Sequence, residues 1–253
     1  MTDKTPRKKI YEGKAKILYT AEVDGTLIQY FKDSLTAFNN QKKDDRLGKG
    51  VLTAMMSEHL MGVVAAAGIP TCFIKRLSAR EQLIREADII PIEVIVRNYV
   101  AGSLVKRLGL VAGAKLTRSI VEYAYKNDEL GDPWIGEDHI TTLGLASPQE
   151  LDDIMAMSLR INDILHGYFS AINFKLIDFK LEFGRVMDNE DEIRIILCDE
   201  ISPDTCRLWD KKTDEKFDKD LFRYDLGDVM TGYQEIARRM GLIFEMPKKQ
   251  GKT

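Results

Sequence analysis

Two short segments in the second half of the chain constrain its fold more than any other part of the sequence. Residues 176–184 read LIDFKLEFG, and residues 198–204 read CDEISPD. In an extended strand, alternate side chains share a face. The first segment therefore predicts a strand with an apolar face and a charged face, formed by Ile177, Phe179, Leu181 and Phe183 and by Asp178, Lys180 and Glu182.

The residues between these segments predict a β-hairpin. Residues 188–192 are polar and turn-like, and residues 193–197 are apolar enough for a second strand. Folding the chain about this loop brings Glu182 opposite Cys198 and Asp199, so that carboxylates from two strands can meet. Mg²⁺ takes one or two protein carboxylates together with substrate phosphates, which favours a nucleotide site. An amphipathic hairpin with a solvated charged face is the alternative.

Composition excludes few classes of protein. A chain of 253 residues, 44% hydrophobic and 30% charged, can bury one large core or two smaller ones. The net charge of −3 argues against non-specific nucleic-acid binding. The sequence has no apolar run of ~20 residues and no apolar stretch behind its polar first residues, so we expect no membrane contact and a cytoplasmic location. The three cysteines are not spaced like a zinc site or a disulfide framework, which favours free thiols.

Two lysines near the N-terminus form a candidate phosphate contact. Gly13 permits a tight turn and close approach to a ligand, and Lys14 and Lys16 would share one face of a strand. This pattern suits a polyphosphate. A surface hairpin with two lysines has the same pattern, and the sequence contains no Gly-x-x-x-x-Gly-Lys-Ser/Thr motif.

An arginine and a serine follow a further predicted strand. Residues 91–98 are apolar up to Arg97 except for Glu93, and the small-residue turn after them places Ser103 at a predicted helix N-cap. A guanidinium, a hydroxyl and free backbone N–H groups together suit phosphate. A capped helix beside a surface arginine explains the pattern equally well.

Helical spacing of apolar residues predicts three helices, over residues 49–67, 148–169 and 226–240. Residues 31–38 and 128–142 lack a clear period and predict loops. The first ~90 residues are rich in short predicted strands and could form a small lobe. His59 and His166 lie on or beside apolar helix faces, which favours structural roles for both.

Several of these segments resemble signature segments of the SAICAR synthetase (phosphoribosylaminoimidazole-succinocarboxamide synthase) family. Residues 89–103 and 177–184 match such segments without gaps. Further similar segments are residues 11–16, 102–109, 199–204 and 207–210. The resemblance covers nearly the whole chain in order. A longer loop between Glu182 and Asp199 than in compact bacterial members is the chief departure.

The resemblance implies an α+β fold of two lobes with an ATP cleft between them. We place a small β-rich N-terminal lobe at residues 1–90 and a larger α+β lobe at residues 91–253. The implied activity is an ATP-dependent ligation in de novo purine synthesis. ATP, L-aspartate and carboxyaminoimidazole ribonucleotide (CAIR) give SAICAR, ADP and phosphate, with Mg²⁺ as cofactor and an acyl phosphate as intermediate.

The resemblance also assigns roles to individual residues. Lys14 and Lys16 would cover the ATP phosphates, and Glu93 would lie near the adenine end of the cleft. Glu182 and Asp199 would bind Mg²⁺. The residues implied for the ribonucleotide pocket are Arg97, Ser103, Asp178, Lys180, Asp204, Arg207 and Arg223. Among them we assign catalytic roles to Lys180, Asp178 and Arg207, with Lys180 facing carboxylate or phosphate oxygens.

Two other classes of function compete with this interpretation. A kinase-like phosphotransferase with another acceptor would use the same carboxylates and lobes, but the sequence lacks His-Arg-Asp and Asp-Phe-Gly motifs. A non-enzymatic binding module would not need carboxylates, lysines and arginines on separate segments. We therefore expect small-molecule substrates, no nucleic-acid or membrane partner, and a homodimer by resemblance to the family.

Overall fold

The computed structural model describes residues 7–38, 41–188, 190 and 192–243. Within these residues the helices are α1 (Lys49–Ala66), α2 (Ser103–Leu108), α3 (Glu137–Thr142), α4 (Pro148–Ala171), α5 (Asp220–Arg223) and α6 (Val229–Arg239). The strands are β1 (Lys9–Glu12), β2 (Lys16–Thr20), β3 (Thr26–Phe31), β4 (Ser34–Ala37), β5 (Lys42–Asp45), β6 (Phe73–Ser78), β7 (Glu81–Arg85), β8 (Asp88–Ile89), β9 (Ile92–Tyr99), β10 (Lys115–Tyr125), β11 (Trp134–Ile135), β12 (Phe174–Met187), β13 (Ile193–Cys198) and β14 (Cys206–Asp210).

Most of the strands lie in two antiparallel sheets. The first sheet has the strand order β1-β2-β3-β7-β6. The second has the order β11-β10-β9-β12-β13, and β8 and β14 also pair with β12. β4 and β5 form a separate pair. The predicted α+β class is confirmed, with a β-rich first part of the chain followed by the larger sheet and most of the helices.

Strand β12 is the centre of the second sheet. Its first half pairs with β9 and β14, and its second half pairs with β13 and β8. Glu182 lies opposite Cys198, as the hairpin prediction requires. Both faces of β12 are buried, since Asp178 is 3% exposed and Glu182 is 6% exposed. The alternative of a solvated charged face is therefore wrong, because the charged row lies inside the molecule.

A β-bulge changes the side-chain alternation near the start of β12. The register against β14 slips between Leu176 and Asp178. Leu176 joins the main core with Phe179, while Ile177 packs in a separate small cluster beside Trp209. The prediction that Ile177 and Phe179 share the same core face is wrong, because strict alternation holds only while the ladder is regular.

The three predicted helices are present as α1, α4 and α6. Helix α4 begins with a capping box, in which Ser147 Oγ accepts a hydrogen bond from Glu150 N and the Glu150 carboxylate accepts one from Ser147 N. His59 shares a hydrogen bond of 2.8 Å with Tyr168 Oη, which fits a structural role. No helix within the described residues is both long enough and apolar enough to cross a membrane.

A single hydrophobic core joins the helices to both sheets. It contains Leu27 of β3, Leu52 of α1, Phe183 of β12 and Ile236 of α6. Helix α1 follows the β4–β5 pair and packs against α4 and α6. The N-terminal strands are thus attached to the rest of the molecule through a common core as well as through the chain.

Two segments predicted as loops contain short regular elements. Residues 31–38 include β4, and residues 128–142 include β11 and α3. These elements are at most six residues long, which is too short to show a clear period. Ser103 starts α2 rather than capping it, because Gly102 is the N-cap residue and Ser103 Oγ accepts a hydrogen bond from Arg97.

Two glycines of α1 provide a matched test of its packing. A Cβ at Gly50 would lie 2.4 Å from the backbone oxygen of Phe31, whereas a Cβ at Gly62 would meet nothing within 4 Å. We expect Gly50→Ala to lower the free energy of unfolding by about 1–3 kcal/mol, because the backbone must move. Gly62→Ala should be neutral or raise it by about 0.5–1 kcal/mol. Urea denaturation of both variants measures the difference, and equal effects would contradict the close approach of α1 to β3.

Candidate active site

Three neighbouring cavities lie along strand β12. The apolar cavity, of about 370 Å³, has Leu18, Leu27, Ile84, Ala87 and Pro91 in its wall. The lysine cavity, of about 410 Å³, has Lys14, Lys16, Lys126, Lys180 and Lys219 in its wall. The arginine cavity, of about 390 Å³, has Arg97, Arg207 and Arg223 in its wall.

The three cavities form one cleft through shared wall residues. Lys16, Glu182 and Asp199 line both the apolar cavity and the lysine cavity. Lys180 and Lys219 line both the lysine cavity and the arginine cavity. Two ligands placed end to end can thus meet in the lysine cavity, one entering from the apolar end and the other from the arginine end.

The charged row of β12 runs along this cleft. Asp178 borders the arginine cavity, Lys180 borders the arginine and lysine cavities, and Glu182 borders the lysine and apolar cavities. Alternate positions of a single strand therefore supply a charged side chain to each part of the cleft.

Lys180 is the centre of a cluster of three carboxylates. Its Nζ lies 2.7 Å from Glu182 Oε1, 2.9 Å from Glu93 Oε1 and 3.7 Å from Asp199 Oδ2. Burial acts to lower the pKa of Lys180, but Glu182 and Glu93 raise it above its ordinary value. Burial acts to raise the pKa of Glu182, but Lys180 and Lys126 hold it below its ordinary value. Both groups therefore stay charged near neutral pH.

A second lysine binds the carboxylates that follow β13. Lys16 forms ion pairs with Asp199 and Glu200, and its Nζ lies 2.9 Å from Glu200 Oε1. Burial lowers the pKa of Lys16, although Glu200 and Glu182 oppose the shift. Asp199 has a φ of 62°, a left-handed conformation that short polar side chains tolerate best after glycine. Lys126 adds an ion pair with Glu182.

Arg97 is held by three groups at the wall of the arginine cavity. Its Nη1 donates to Asp178 Oδ2 at 2.6 Å, its Nε donates to Glu122 Oε2 at 2.6 Å, and its Nη2 donates to Ser103 Oγ at 3.1 Å. The pairing of β9 with β12 places Arg97 directly opposite Asp178. The surface-arginine alternative is wrong, because Arg97 is only 2% exposed.

Arg207 and Arg223 continue this network. Arg207 Nη1 donates to Asp178 Oδ2 at 2.9 Å and its Nε donates to Asp220 Oδ2 at 2.9 Å. Arg223 Nη1 donates to Asp220 Oδ1 at 2.7 Å. A Cβ at Gly102 would lie 2.8 Å from the guanidinium nitrogens of Arg207, and the φ of 55° there also favours glycine. Arginines and aspartates thus alternate along the cavity wall, which fixes the orientation of each guanidinium.

Asp204 lies where the lysine and arginine cavities meet. It forms an ion pair with Lys49 and accepts a hydrogen bond of 2.6 Å from Tyr233 Oη. Burial acts to raise the pKa of Asp204, but Lys49 and Lys219 hold it below its ordinary value. Asp204 is therefore an ionised carboxylate whose charge is stabilised by neighbouring protein groups.

Two further predicted site residues, Lys14 and Glu93, also lie in the walls of the cleft. Lys14 precedes β2 and pairs with Asp128 at 2.7 Å, whereas Lys16 lies within β2 and pairs with Asp199. These two lysines do not share a strand face, because the chain turns before β2 begins. Glu93 lines the arginine and lysine cavities and not the apolar cavity, and its place near the adenine end of the cleft stays a prediction.

Several residues of the cleft were not predicted. Lys126 follows β10, a strand for which no prediction was made. Glu200 was visible in the sequence as the second of two adjacent carboxylates. No local sequence pattern marks Lys49 or Lys219 as a site residue. Only tertiary contacts bring them to Asp204 and to the junction of the cavities.

The donors at the centre of the cleft fit Mg²⁺. Glu182 and Asp199 both approach the ammonium of Lys180, so their carboxylates face a common point. Carboxylate oxygens are the protein ligands that Mg²⁺ prefers, and the open lysine cavity leaves room for phosphate oxygens and water. When bound there, Mg²⁺ would neutralise negative charge on phosphate groups.

The fold and the cleft define a class of protein, an α+β enzyme whose charged cleft suits phosphorylated substrates. The chain belongs to the SAICAR synthetase family, whose sequence profile matches residues 9–240. This membership agrees with the resemblance carried by the two signature segments.

Individual relatives cover nearly the whole chain. A phosphoribosylaminoimidazole-succinocarboxamide synthase from Rhodospirillum centenum is 61% identical over 241 residues, which is 95% of this chain and 94% of the relative. The crystal structure of such a synthase from Ehrlichia chaffeensis is 46% identical, with a TM-score of 0.91 over 94% of this chain and 100% of that chain. A SAICAR synthetase solved in complex with ADP is 45% identical, with a TM-score of 0.87 over 94% of this chain and 99% of that chain.

Proposed function

We propose that this enzyme joins L-aspartate to the carboxylate of CAIR and converts ATP to ADP and phosphate. The product would be the succinocarboxamide after which its relatives are named. The observation that carries the proposal is the continuous cleft, in which a nucleotide and a second phosphorylated substrate can meet beside lysines and carboxylates. The 61% identity to a synthase over most of the chain supports the same activity.

The proposed activation explains why the cleft needs phosphoryl chemistry. A carboxylate does not accept an amine, because oxide is a poor leaving group. Transfer of the γ-phosphoryl group to one carboxylate oxygen would give an acyl phosphate, which the aspartate amine then attacks with release of phosphate. Positioning and charge stabilisation are the main contributions an enzyme makes to such a transfer.

We assign the substrates to the cavities by their chemistry. The apolar cavity suits the adenine of ATP, and the ADP complex of a 45% identical relative supports nucleotide binding. Lys14 and Lys16 would contact the nucleotide phosphates. Arg97, Ser103 and Arg207 would hold the ribonucleotide phosphate, since guanidinium groups match phosphate geometry.

The remaining predicted residues are assigned to the junction of the two substrates. Lys180 would bind oxygens of the reacting carboxylate or the transferred phosphoryl group, and Glu93 would help to hold Lys180. Asp178, Asp204 and Arg223 would shape the ribonucleotide side. Glu182 and Asp199 would bind Mg²⁺ next to the phosphates.

The kinase-like alternative is not favoured. Relatives that are 55–61% identical carry the synthase name, and the buried arginine network would have no role in a transfer to an unrelated acceptor. A binding module without activity would not explain the cluster of lysines and carboxylates around Lys180.

We also keep three predictions as proposals. The two lobes would divide near residue 90, where the chain leaves the first sheet and β8 pairs with β12. The enzyme would act in the cytoplasm, where its substrates would be made. A homodimer is proposed on the resemblance to the family alone.

A single assay tests the proposed function. Purified protein is given ATP and Mg²⁺ with CAIR, with L-aspartate, with both or with neither, and ADP release is followed. We expect release at a steady rate only with both substrates, together with a product whose mass equals CAIR plus aspartate minus water. Equal ADP release without aspartate would contradict a ligase and support the phosphotransferase.

A further inference from the structure

Lys219 differs from every other cation that lines the lysine and arginine cavities. The other lysines and arginines of these walls form ion pairs, for example Lys14 with Asp128 and Arg223 with Asp220. Within the described residues, no carboxylate oxygen lies within 4.0 Å of Lys219 Nζ, the distance that defines an ion pair. It precedes the short helix α5 and faces the junction of the two cavities.

Nearby carboxylates balance the charge of Lys219 only in part. Asp204 is the carboxylate that attracts Lys219 most strongly, but it is already engaged by Lys49 and Tyr233. Burial lowers the pKa of Lys219 to about 8, and Lys49 and Arg223 add to this effect. Because this value lies above 7, Lys219 is mostly an ammonium at neutral pH. An ammonium without an ion-pair partner in a half-buried wall is costly, so the position favours an anionic ligand.

The other anionic groups of the proposed reaction already have assigned partners. Lys14 and Lys16 are assigned to the nucleotide phosphates, and Arg97 and Arg207 are assigned to the ribonucleotide phosphate. L-aspartate brings two carboxylates for which no cation has been assigned. Its amine must reach the ribonucleotide carboxylate at the junction of the cavities, which is where Lys219 lies.

We propose that Lys219 binds a carboxylate of the incoming L-aspartate and so selects a dicarboxylic amine as the nucleophile. This inference rests on the proposed ligase function. Arg223 supports the same contact, because among the described residues its guanidinium uses only Nη1, on Asp220, and its side chain lines the arginine cavity.

Steady-state kinetics of Lys219→Met test the assignment. Losing a hydrogen bond between charged groups, worth about 1.5–3 kcal/mol, should raise KM for aspartate by roughly 10–100-fold. KM for CAIR and for ATP should change by less than about twofold, since their anions have other partners. Lys219→Arg should recover part of the loss because it keeps the charge. Succinate, which has both carboxylates and no amine, should lose affinity as an inhibitor by a similar factor.

Lys212→Met is the matched control, because it removes an equal charge from an exposed position of the preceding turn, outside the three cavities. It should leave all three KM values unchanged. An unchanged KM for aspartate in Lys219→Met, or a larger rise in KM for CAIR, would overturn the assignment. If Lys219→Met does not fold, as judged by circular dichroism, Lys219→Gln is measured against the same outcomes. Absence of aspartate-dependent ADP release in the unmodified enzyme would instead refute the proposed function.

Discussion

Glu182→Gln and Asp199→Asn should each lower kcat/KM by about 10²–10³-fold without loss of the fold. The two carboxylates, one within β12 and the other directly after β13, converge on Lys180 and are the proposed Mg²⁺ ligands. Losing either charge weakens the metal site and the stabilisation of the transferred phosphoryl group. The amide keeps the shape of the side chain and can still accept a hydrogen bond from a lysine, so the fold should persist.

The measurement is ADP release over a range of Mg²⁺ concentrations, with equilibrium Mg²⁺ binding as a readout that does not depend on turnover. Both variants should need more Mg²⁺ than the unmodified enzyme. Glu22→Gln is the control, because it removes a carboxylate from an exposed position outside the cleft. Normal kcat in both variants at ordinary Mg²⁺ would show that the metal assignment is wrong.

Arg97→Lys should raise KM for CAIR by roughly 10²-fold while KM for ATP changes little. Lysine keeps the charge but cannot reach Glu122, Asp178 and Ser103 together as the guanidinium does. Two hydrogen bonds to charged partners would be lost, at about 1.5–3 kcal/mol each, and part of this cost falls on ribonucleotide binding. Each 1.4 kcal/mol corresponds to about tenfold in affinity.

This prediction is measured with CAIR and ATP varied separately, at a temperature where the variant is folded. Arg118→Lys provides the control, since Arg118 is an exposed arginine on the neighbouring strand β10. Equal losses for both substrates would argue against a dedicated ribonucleotide-phosphate site beside Arg97.

Local patterns were sufficient to predict the elements that carry the proposed metal ligands. The alternation in β12, the polar turn after it and the apolar strand β13 lie within about 25 residues of one another, so each constrains the others. Glu182 was accordingly placed opposite Cys198 from the sequence, as the structure shows. The three longest helices were also predicted, because their apolar faces repeat over several turns.

Contacts between distant segments could not be predicted in this way. Arg97 meets Asp178 only because β9 and β12 are neighbours in the sheet, and their order does not follow from either pattern. The sequence of β10 has only a weak hydrophobic pattern, since Tyr123 and Ala124 are the only buried positions of this strand. The unpaired state of Lys219 depends on Asp204 being occupied by groups from two helices, which no local pattern reveals.

Strand β12 sets the distance between the parts of the cleft that it borders. Residues two apart on a strand are separated by about 6.5–7 Å, so Asp178 and Glu182 stand about 13 Å apart along the backbone. The span from the proposed ribonucleotide pocket to the proposed Mg²⁺ site is therefore set by the main chain. Side-chain substitutions can change how strongly a substrate is held, but a one-residue insertion between Asp178 and Glu182 would exchange the charged and apolar rows. Length changes in this family should then concentrate beyond β12, for example between β12 and β13, where they leave the spacing of the proposed substrate sites unchanged.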